Sequence, residues 1–324
     1  MKRLETTFAG LRLKNPFIVS SSNLTNSAEK NKKWEDAGAG AVVLKSLFEE
    51  EIEAEADWMN EGTHAEEFDY LQTYQRAHRL DEYLRLIRES KAVCTIPVIA
   101  SINCYQLTGW TDFARQIEEA GADAIELNIM SVNAEAEEEY GTFECMHVQI
   151  VQKIKQVVRL PIVVKLGRNL TNPIPLIHQL YANGVAGVVL FNRMAAPDFN
   201  IDTLKFANAE ALGHPSNLYE SLRWVGLASE RVPNLSYAVS GGVADGASLV
   251  KALLAGASAV EVCSALYRHG VPQVQEMLAF LSEWMTQHHF TSVSDFKGLM
   301  NARKMGSASA FARSQFFKQF GKYE

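Results

Sequence analysis

The chain has 324 residues, of which 47% are hydrophobic and 21% are charged, and its formal net charge at pH 7 is −7. This length allows either two small domains or one large barrel, and the hydrophobic fraction is sufficient for a large buried core. The negative charge argues against a nucleic-acid-binding protein, which needs a basic surface, and no apolar run approaches the roughly 20 residues that span a bilayer.

Eight short runs of apolar and β-branched residues are predicted to be strands buried on both faces. Each run is too short for a helix and too continuously apolar for a half-exposed strand. In chain order, the predicted strands are Phe17–Ser21, Ala41–Lys45, Pro97–Asn103, Ala124–Ile129, Pro161–Leu166, Gly187–Phe191, Ser236–Ser240 and Ala259–Cys263. Helical patterns lie between most of them, and the main insertion, Phe48 to about Ala77, precedes the helix after the second strand.

A repeated junction connects the helices to the strands that follow them. Thr111–Ala120 is a representative helix, which is expected to begin at a Thr111 cap and to end before Gly121. Equivalent junctions begin at Gly38, Gly184 and Gly256. A glycine that can adopt a left-handed conformation immediately before a strand is typical of parallel βαβ units.

The alternation of strands and helices predicts an α/β protein, and eight such units favour a closed TIM (β/α)8 barrel over an open sheet. The sequence contains no linker and no low-complexity segment, so one barrel domain is expected over residues 1–301. Residues 302–324 are predicted to form a C-terminal helical extension that packs on the barrel or at a subunit interface.

Polar residues are found at the C-terminal ends of the predicted strands. In chain order these residues are Ser20–Asn23, Lys45–Ser46, Ser101–Asn103, Glu126–Asn128, Lys165, Asn192–Arg193, Ser240–Gly242 and Cys263–Ser264. Because the active site of this fold lies where the strands end and the βα loops begin, the sequence predicts a ligand site there.

The ends of the seventh and eighth strands have the features of a phosphate-binding site. Gly241 and Gly242 allow close approach of the backbone to a ligand, and a helix is predicted to follow near Asp245–Leu254. Cys263 and Ser264 begin the next helix in the same way. Since the loops after these two strands are the usual phosphate-binding loops of the fold, a phosphate-bearing cofactor is expected.

Two lysines, Lys45 and Lys165, end apolar strands and are expected to be buried. A buried ammonium group is costly unless an anion or a polarised group lies beside it. Two interpretations stay open. The lysine can pair with a carboxylate of the barrel, such as Glu126, or it can stabilise negative charge that develops on a flavin or an oxyanion.

Together these motifs resemble the dihydroorotate dehydrogenase family over about Leu11 to Asn301, and the soluble class of that family in particular. The similar segments are Leu13–Ser22 (LKNPFIVSSS), Glu126–Asn133 (ELNIMSVN), Val163–Leu166 (VVKL), Ser240–Val243 (SGGV), Cys263–Tyr267 (CSALY) and Ser292–Gly298 (SVSDFKG). The resemblance implies a non-covalently bound FMN. The implied cofactor-binding residues are Ser20, Ser21, Lys45, Asn103, Asn128, Lys165, Asn192, Ser240, Gly241, Gly242, Cys263 and Ser264.

The resemblance also implies a reaction, the oxidation of dihydroorotate to orotate in pyrimidine biosynthesis. In the family, a loop residue removes a proton from C5 of the substrate while C6 gives a hydride to the flavin. The matching position for that base is Ser131, with Lys165 and Lys45 as further catalytic residues. A serine hydroxyl is a poor base unless a neighbour or a water relay takes its proton. The implied substrate-binding residues are Asn128, Asn133, Asn192 and Arg193.

Departures from the family pattern concern the substrate. Glu61–Tyr70 occupies the place of an asparagine-containing stretch, Val132 replaces a proline, and Arg193 follows Asn192 where a small polar residue is usual. Three alternatives are therefore kept. These are a flavoenzyme of the same fold with another substrate, a flavin-binding partner subunit with little turnover, and a flavin-free barrel enzyme with a phosphorylated ligand.

The four cysteines, Cys94, Cys104, Cys145 and Cys263, lack C-x-x-C spacing, which is typical of reduced thiols in a cytoplasmic protein. The sequence predicts no metal site and no signal peptide. The expected partners are a pyrimidine-like small molecule and a second copy in a homodimer, without nucleic acid or membrane. The chain has no G-x-G-x-x-G motif, so a nicotinamide acceptor would require a separate electron-acceptor partner, with fumarate, a quinone and oxygen as alternatives.

Overall fold

The computed structural model describes residues 3–48, 65–103, 110–129, 136–194, 197–208 and 210–304, of which 65–77 and 208 are described by their backbone alone. Ser131 and Asn133 of the predicted site lie outside the described residues, as does most of the predicted extension 302–324. The domain boundary after residue 301 therefore stays a prediction.

An antiparallel hairpin of β1 (Thr6–Phe8) and β2 (Leu11–Leu13) precedes the barrel and was not predicted. The barrel strands follow as β3 (Phe17–Val19), β4 (Ala41–Val43), β6 (Val98–Asn103), β7 (Ala124–Ile129), β8 (Ile162–Leu166), β9 (Gly187–Leu190), β12 (Ser236–Ser240) and β13 (Ala259–Val262). All of their pairings are parallel, and β13 pairs with β3 to close the sheet. The predicted TIM barrel is confirmed, and each of its strands lies within the predicted run.

The remaining strands lie outside the barrel ring. The short strand β5 (Leu47–Phe48) continues alongside the end of β6, and β10 (Pro197–Asn200) pairs antiparallel with β11 (Lys205–Asn208). The sequence did not predict them, because β5 has only two residues and the β10–β11 hairpin is exposed instead of buried.

The helices lie between the strands, as expected for repeated βαβ units. They are α1 (Ala28–Ala37), α2 (Ala65–Val93), α3 (Trp110–Glu119), α4 (Thr142–Lys155), α5 (Pro173–Ala182), α6 (Leu218–Arg231), α7 (Gly246–Ala255), α8 (Ser264–His269) and α9 (Pro272–Gln287). Gly38 and Gly256 end α1 and α7 in the left-handed conformation, with φ of 112° and 119°. None of the described helices has the length and apolar character needed to cross a bilayer.

Two helix starts differ from the prediction. Helix α3 begins at Trp110, so Thr111 lies inside the helix and is not its cap; the buried Trp110 ring packs edge-on against Phe113 in the first turn. Helix α2 begins at Ala65, well inside the predicted insertion. The stretch 65–93 contains no glycine and no proline, so nothing in it interrupts a helix.

The barrel interior is layered because side chains of a strand point inward at every second position. One inward layer is apolar and consists of Ile18, Val43, Ile99, Ala124, Val163, Val189, Ala238 and Ala259, one residue from each strand. Phe8 and Leu13 of the β1–β2 hairpin pack against this layer and close the N-terminal end of the barrel. The next inward layer, two positions further towards the C-terminal ends of the strands, is mostly polar. It consists of Ser20, Ser101, Glu126, Lys165, Phe191, Ser240 and Glu261, whereas Lys45, two residues after the end of β4, lies outside it.

Outside the barrel, the buried Glu35 of α1 ties that helix to the segment before β6. Its Oε1 accepts hydrogen bonds from the backbone N–H groups of Thr95 (2.9 Å) and Ile96 (3.2 Å), and its Oε2 lies 3.0 Å from Lys32 Nζ. Burial by itself raises the pKa of Glu35, but the hydrogen bonds from Thr95 and Lys32 outweigh that effect and lower the pKa to about 2.

We predict that Glu35→Gln lowers the free energy of unfolding at pH 7 by about 1–3 kcal/mol, because two buried backbone donors lose a charged acceptor. The native carboxylate contributes its stability above pH 4.5 and loses it as the pH falls towards 2. Urea unfolding at pH 7 and pH 3 measures this, and the difference between the two proteins should be smaller at pH 3 than at pH 7. Asp36→Asn, which removes the exposed carboxylate that also pairs with Lys32, is the matched control and should change little. Equal losses in the two variants would contradict the role of Glu35.

Candidate active site

A cavity of about 210 Å³ opens at the C-terminal ends of the barrel strands. Most of the predicted site residues line it, namely Ser20, Ser21, Lys165, Asn192, Arg193, Ser240, Gly241, Gly242, Cys263 and Ser264. The structure therefore brings together the ends of β3, β8, β9, β12 and β13, which are far apart in sequence. Asn103 and Asn128 are buried at the ends of β6 and β7.

The floor of the cavity contains a buried ammonium group, that of Lys165. Its Nζ lies 2.5 Å from Glu261 Oε2, 3.1 Å from Ser20 Oγ and 3.5 Å from Glu126 Oε1. Three oxygens thus surround the three donors of the ammonium group. The prediction that Lys165 is buried is confirmed, and so is the interpretation in which it pairs with a barrel carboxylate.

The ionisable groups of this cluster titrate far from their ordinary values. Burial lowers the pKa of Lys165, but Glu126 and Glu261 outweigh burial and raise it. Burial raises the pKa of Glu126, and the neighbouring Glu261 carboxylate raises it further. Burial also raises the pKa of Glu261, but the contact with the Lys165 ammonium group outweighs burial, and the pKa of Glu261 is lowered. The pair therefore favours an ionised Glu261 and a protonated Glu126.

A chain of hydroxyl groups connects Glu126 with the cavity wall. Ser101 Oγ lies 3.5 Å from Glu126 Oε1 and 2.8 Å from Ser46 Oγ, which lies 3.0 Å from Ser21 Oγ. Tyr83 holds Ser101 in place, because its phenol donates to the Ser101 carbonyl (2.9 Å) and accepts from the Ser101 N–H (2.7 Å). Each hydroxyl can donate and accept a hydrogen bond, so the chain is a polar path out of the buried layer.

Two asparagines of the predicted substrate site are in direct contact. Asn192 Nδ2 donates to Asn128 Oδ1 at 2.7 Å, and Asn192 Oδ1 accepts from the Arg193 N–H at 2.8 Å. The nearby Asn103 is buried, and its Oδ1 has no hydrogen-bond partner among the described residues. A buried polar atom without a partner is costly, so Asn103 offers an acceptor to a ligand.

The turn after β12 contains two glycines in the left-handed conformation. Gly241 and Gly242 have φ of 82° and 76°, and among the described residues their backbone N–H groups have no hydrogen-bond partner. A Cβ atom on Gly242 would lie 2.3 Å from Leu218 N. Opposite this turn, Ser264 Oγ accepts from the Gly213 N–H at 2.8 Å. Free N–H groups in such a turn form an anion-binding concavity.

Three arginines line the same cavity, and two of them were missed by the sequence reasoning. Arg168 binds Glu220 (Nη1 to Oε2, 3.0 Å), and Arg268 donates from Nη1 to the Gly213 carbonyl at 2.9 Å. The predicted Arg193 donates to the backbone carbonyls of Glu210 and Ala211. Burial lowers the pKa of Arg168, and its nearness to Arg193 lowers it further against the opposing effect of Glu220. An anion in the cavity would relieve the repulsion between Arg168 and Arg193.

Glu261 is the other residue that the sequence reasoning missed. A charged residue in the apolar strand Ala259–Val262 is the same signal that identified the two lysines, and it could have found Glu261. Arg168, by contrast, gives no such signal, because it lies in a loop two residues after β8.

The expectation that Lys45 is buried was wrong. Lys45 is half-buried and lines a neighbouring groove with Arg79 and Glu82, not the cavity above Lys165. It follows β4, which ends at Val43, and the groove opens at this point between the strand end and α2. Lys45 therefore reaches solvent where Lys165, within β8, does not.

Comparison with known proteins gives a consistent result. The family model described as "Dihydroorotate dehydrogenase" matches residues 3–285. The catalytic subunit of dihydroorotate dehydrogenase B (NAD(+)) from Thermoplasma volcanium is 28% identical over 92% of this chain and 99% of its own length. The NAD-dependent dihydropyrimidine dehydrogenase subunit PreA of Escherichia coli K12 is 26% identical (93% of this chain, 77% of its own), and the chloroplastic dihydropyrimidine dehydrogenase (NADP(+)) of Arabidopsis thaliana is 22% identical (91% and 76%).

We predict that Gly242→Ala damages the cavity wall, because the new methyl group would collide with the backbone of Leu218 and displace the segment that follows Pro215. The expected loss of unfolding free energy is about 2–5 kcal/mol, from the left-handed conformation and the collision together. Gly121→Ala is the control, since Gly121 has φ of 93° but nothing within 4 Å of its Cβ position. It should lose only about 1–2 kcal/mol in urea unfolding, and equal losses would show that the wall is not tight.

Proposed function

The chain belongs to the dihydroorotate dehydrogenase family and is an oxidoreductase, and from this premise we propose that it is an FMN-dependent dehydrogenase. The proposed reaction is the oxidation of a CH–CH bond in a pyrimidine-like ring, with dihydroorotate as the preferred substrate. The observation that carries the proposal is the cavity that joins an anion-binding turn after β12 to a buried cation, Lys165, on β8.

The residues at the β12 and β13 end of the cavity support a binding site for the phosphate group of FMN. Among the described residues, the N–H groups of Gly241 and Gly242 have no hydrogen-bond partner, and Arg168 and Arg268, which pair with Glu220 and Glu210, lie on the same wall. Ser264 and Cys263 complete this end of the cavity. Charge-assisted hydrogen bonds of this kind are the strong ones in phosphate recognition.

Polar groups at the floor of the cavity support a binding site for the flavin ring. Asn103 Oδ1 has no hydrogen-bond partner in the described part of the chain, and the Lys165 ammonium group lies at the floor of the cavity. A planar heterocycle with donors and acceptors along its edge would satisfy these atoms. When bound, FMN supplies the two-electron acceptor for the hydride that leaves the substrate. The protein groups hold the ring and exclude water from it.

We propose that the asparagine pair of Asn128 and Asn192 binds the substrate. Asn128 and Asn192 present amide groups that can match the ring amides of a dihydropyrimidine. Arg193, which lines the cavity and donates to the carbonyls of Glu210 and Ala211, is proposed as the partner of a carboxylate. Asn133, outside the described residues, is proposed as the third amide. Ser131, also outside them, is proposed as the base that takes the proton from the substrate carbon.

A second candidate is an oxidoreductase for a dihydropyrimidine that has no carboxylate. The likeness to PreA and to the chloroplastic enzyme, both named dihydropyrimidine dehydrogenases, favours it. So does Glu61–Tyr70, which replaces the asparagine-containing stretch expected beside the ring. Relatives named as subunits also keep open a separate electron-transfer partner for this chain. The homodimer and the cytoplasmic location stay predictions.

Anaerobic titration of the purified protein with L-dihydroorotate, following the visible flavin absorbance, tests the proposal. Stoichiometric bleaching is the expected result. A yellow protein that stays oxidised with dihydroorotate but is bleached by dihydrouracil would favour the second candidate. A colourless protein that binds no added FMN would contradict both.

Ser131→Ala is predicted to slow this reduction by at least about 100-fold, which is the lower range for loss of a general base, and to leave the FMN content unchanged. Stopped-flow measurement of flavin bleaching gives the rate, and the absorbance ratio at the flavin and protein maxima gives the content. Ser294→Ala is a suitable control, since Ser294 is exposed and is not among the residues that line the cavity. An unchanged rate in Ser131→Ala would remove this residue from the mechanism.

A further inference from the structure

Two carboxyl groups and one ammonium group share the polar layer of the barrel. Glu126, Lys165 and Glu261 are 1%, 4% and 2% exposed, respectively. Lys165 Nζ lies 2.5 Å from Glu261 Oε2 and 3.5 Å from Glu126 Oε1. If both carboxyl groups were ionised, the layer would carry one unit of uncompensated negative charge beneath the cavity.

The hydrogen bonds around the cluster distinguish the two carboxyl groups. Glu261 Oε2 accepts from Lys165 and from Ser20 Oγ (3.0 Å), as an ionised carboxylate would. Glu126 Oε1 has only long contacts of 3.5 Å to Lys165 and Ser101, and its Oε2 has no donor beside it in the described structure. Glu126 thus has the fewer and longer donor contacts of the two, and it is placed as the neutral acid beside the ionised Glu261.

The other titratable groups that face this cluster contribute no charge at neutral pH. Tyr83, next to Ser101, and Cys263, next to β13, are the groups in question. Burial is the largest cause that raises the pKa of each of them, so both stay protonated. Among the described residues, the charge of the layer is therefore decided by Lys165 and the two glutamates.

We propose that Glu126 and Glu261 hold one proton between them, so that Lys165 is balanced by one negative charge, and that this neutral unit sets the reduction potential of the flavin above it. The second half of this inference rests on the proposed function, whereas the shared proton does not. The two glutamates act through Lys165 as positioning residues. An unbalanced Lys165 would favour the more negative, reduced form of the flavin and raise its potential.

Single and double replacements distinguish a shared proton from two ionised carboxylates. In Glu126→Gln, Glu261 keeps its charge; in Glu261→Gln, Glu126 loses its proton and becomes the counter-ion of Lys165. Each single variant therefore stays neutral. The ratio of the affinities for reduced and oxidised flavin, which sets the midpoint potential, should change by less than about threefold. The double variant leaves Lys165 unbalanced, and the ratio should rise at least about tenfold, which is about 30 mV for a two-electron couple.

Spectroelectrochemical titration of the four FMN-loaded proteins measures these potentials. Strong non-additivity, with the shift confined to the double variant, is the expected result. Equal positive shifts in both single variants that add in the double variant would show two ionised carboxylates and overturn the inference. No shift in a folded, FMN-loaded double variant would overturn the link to the flavin.

Infrared spectroscopy with ¹³C-labelled glutamate tests the shared proton without a flavin and without the double variant. The wild-type protein at pH 7 should show the C=O band of a buried protonated carboxyl group. The band should be lost in both single variants, because the remaining carboxyl group is then the ionised partner of Lys165. A wild-type protein without the band, or a band that persists in Glu261→Gln, would contradict the inference. Failure of the proposed function would instead appear as a protein that keeps the band but binds no FMN.

Discussion

The burial of the Lys165 ammonium group inside the barrel is the constraint on which the rest of the site depends. Moving a charge from water into a protein interior costs several kcal/mol, and only close, hydrogen-bonded pairing offsets this cost. The 2.5 Å contact with Glu261 and the hydrogen bond to Ser20 provide that pairing. Glu126 is a second buried carboxyl group beside the same ammonium group, and protonation keeps it neutral there. The site is thus one coupled unit from four strands, and its members cannot be changed independently.

Closure of the parallel sheet is what allows such a unit to form. The inward positions alternate along each strand, so the eight strands contribute an apolar layer and, two positions later, a polar one. The β1–β2 hairpin closes the apolar side with Phe8 and Leu13, which leaves the C-terminal ends as the open side of the barrel. The turn at Gly241 and Gly242, which we propose to bind the phosphate, lies at that open side and lines the same cavity as Lys165.

The buried strands and the strand-end residues could be predicted because burial on both faces leaves a clear apolar run that ends in polar residues. Ser20, Lys165 and Gly242 were found in this way. Glu261 was missed, because its strand was examined only at its polar end, and Arg168 was missed, because loop positions carry no periodic signal. The exposure of Lys45 also depends on α2 and on where β4 ends, which no local pattern contains. The roles of Ser131 and Asn133 stay predictions.

The most direct test of the central claim, that the strand ends of β12 and β13 hold the phosphate of a flavin, is to compare the binding of FMN and riboflavin by the apoprotein. Quenching of flavin fluorescence gives both dissociation constants. We predict one FMN per chain and binding at least about 100-fold tighter than that of riboflavin, since about two charge-assisted hydrogen bonds of 1.5–3 kcal/mol each are lost without the phosphate. Equal affinities for the two flavins would contradict this prediction.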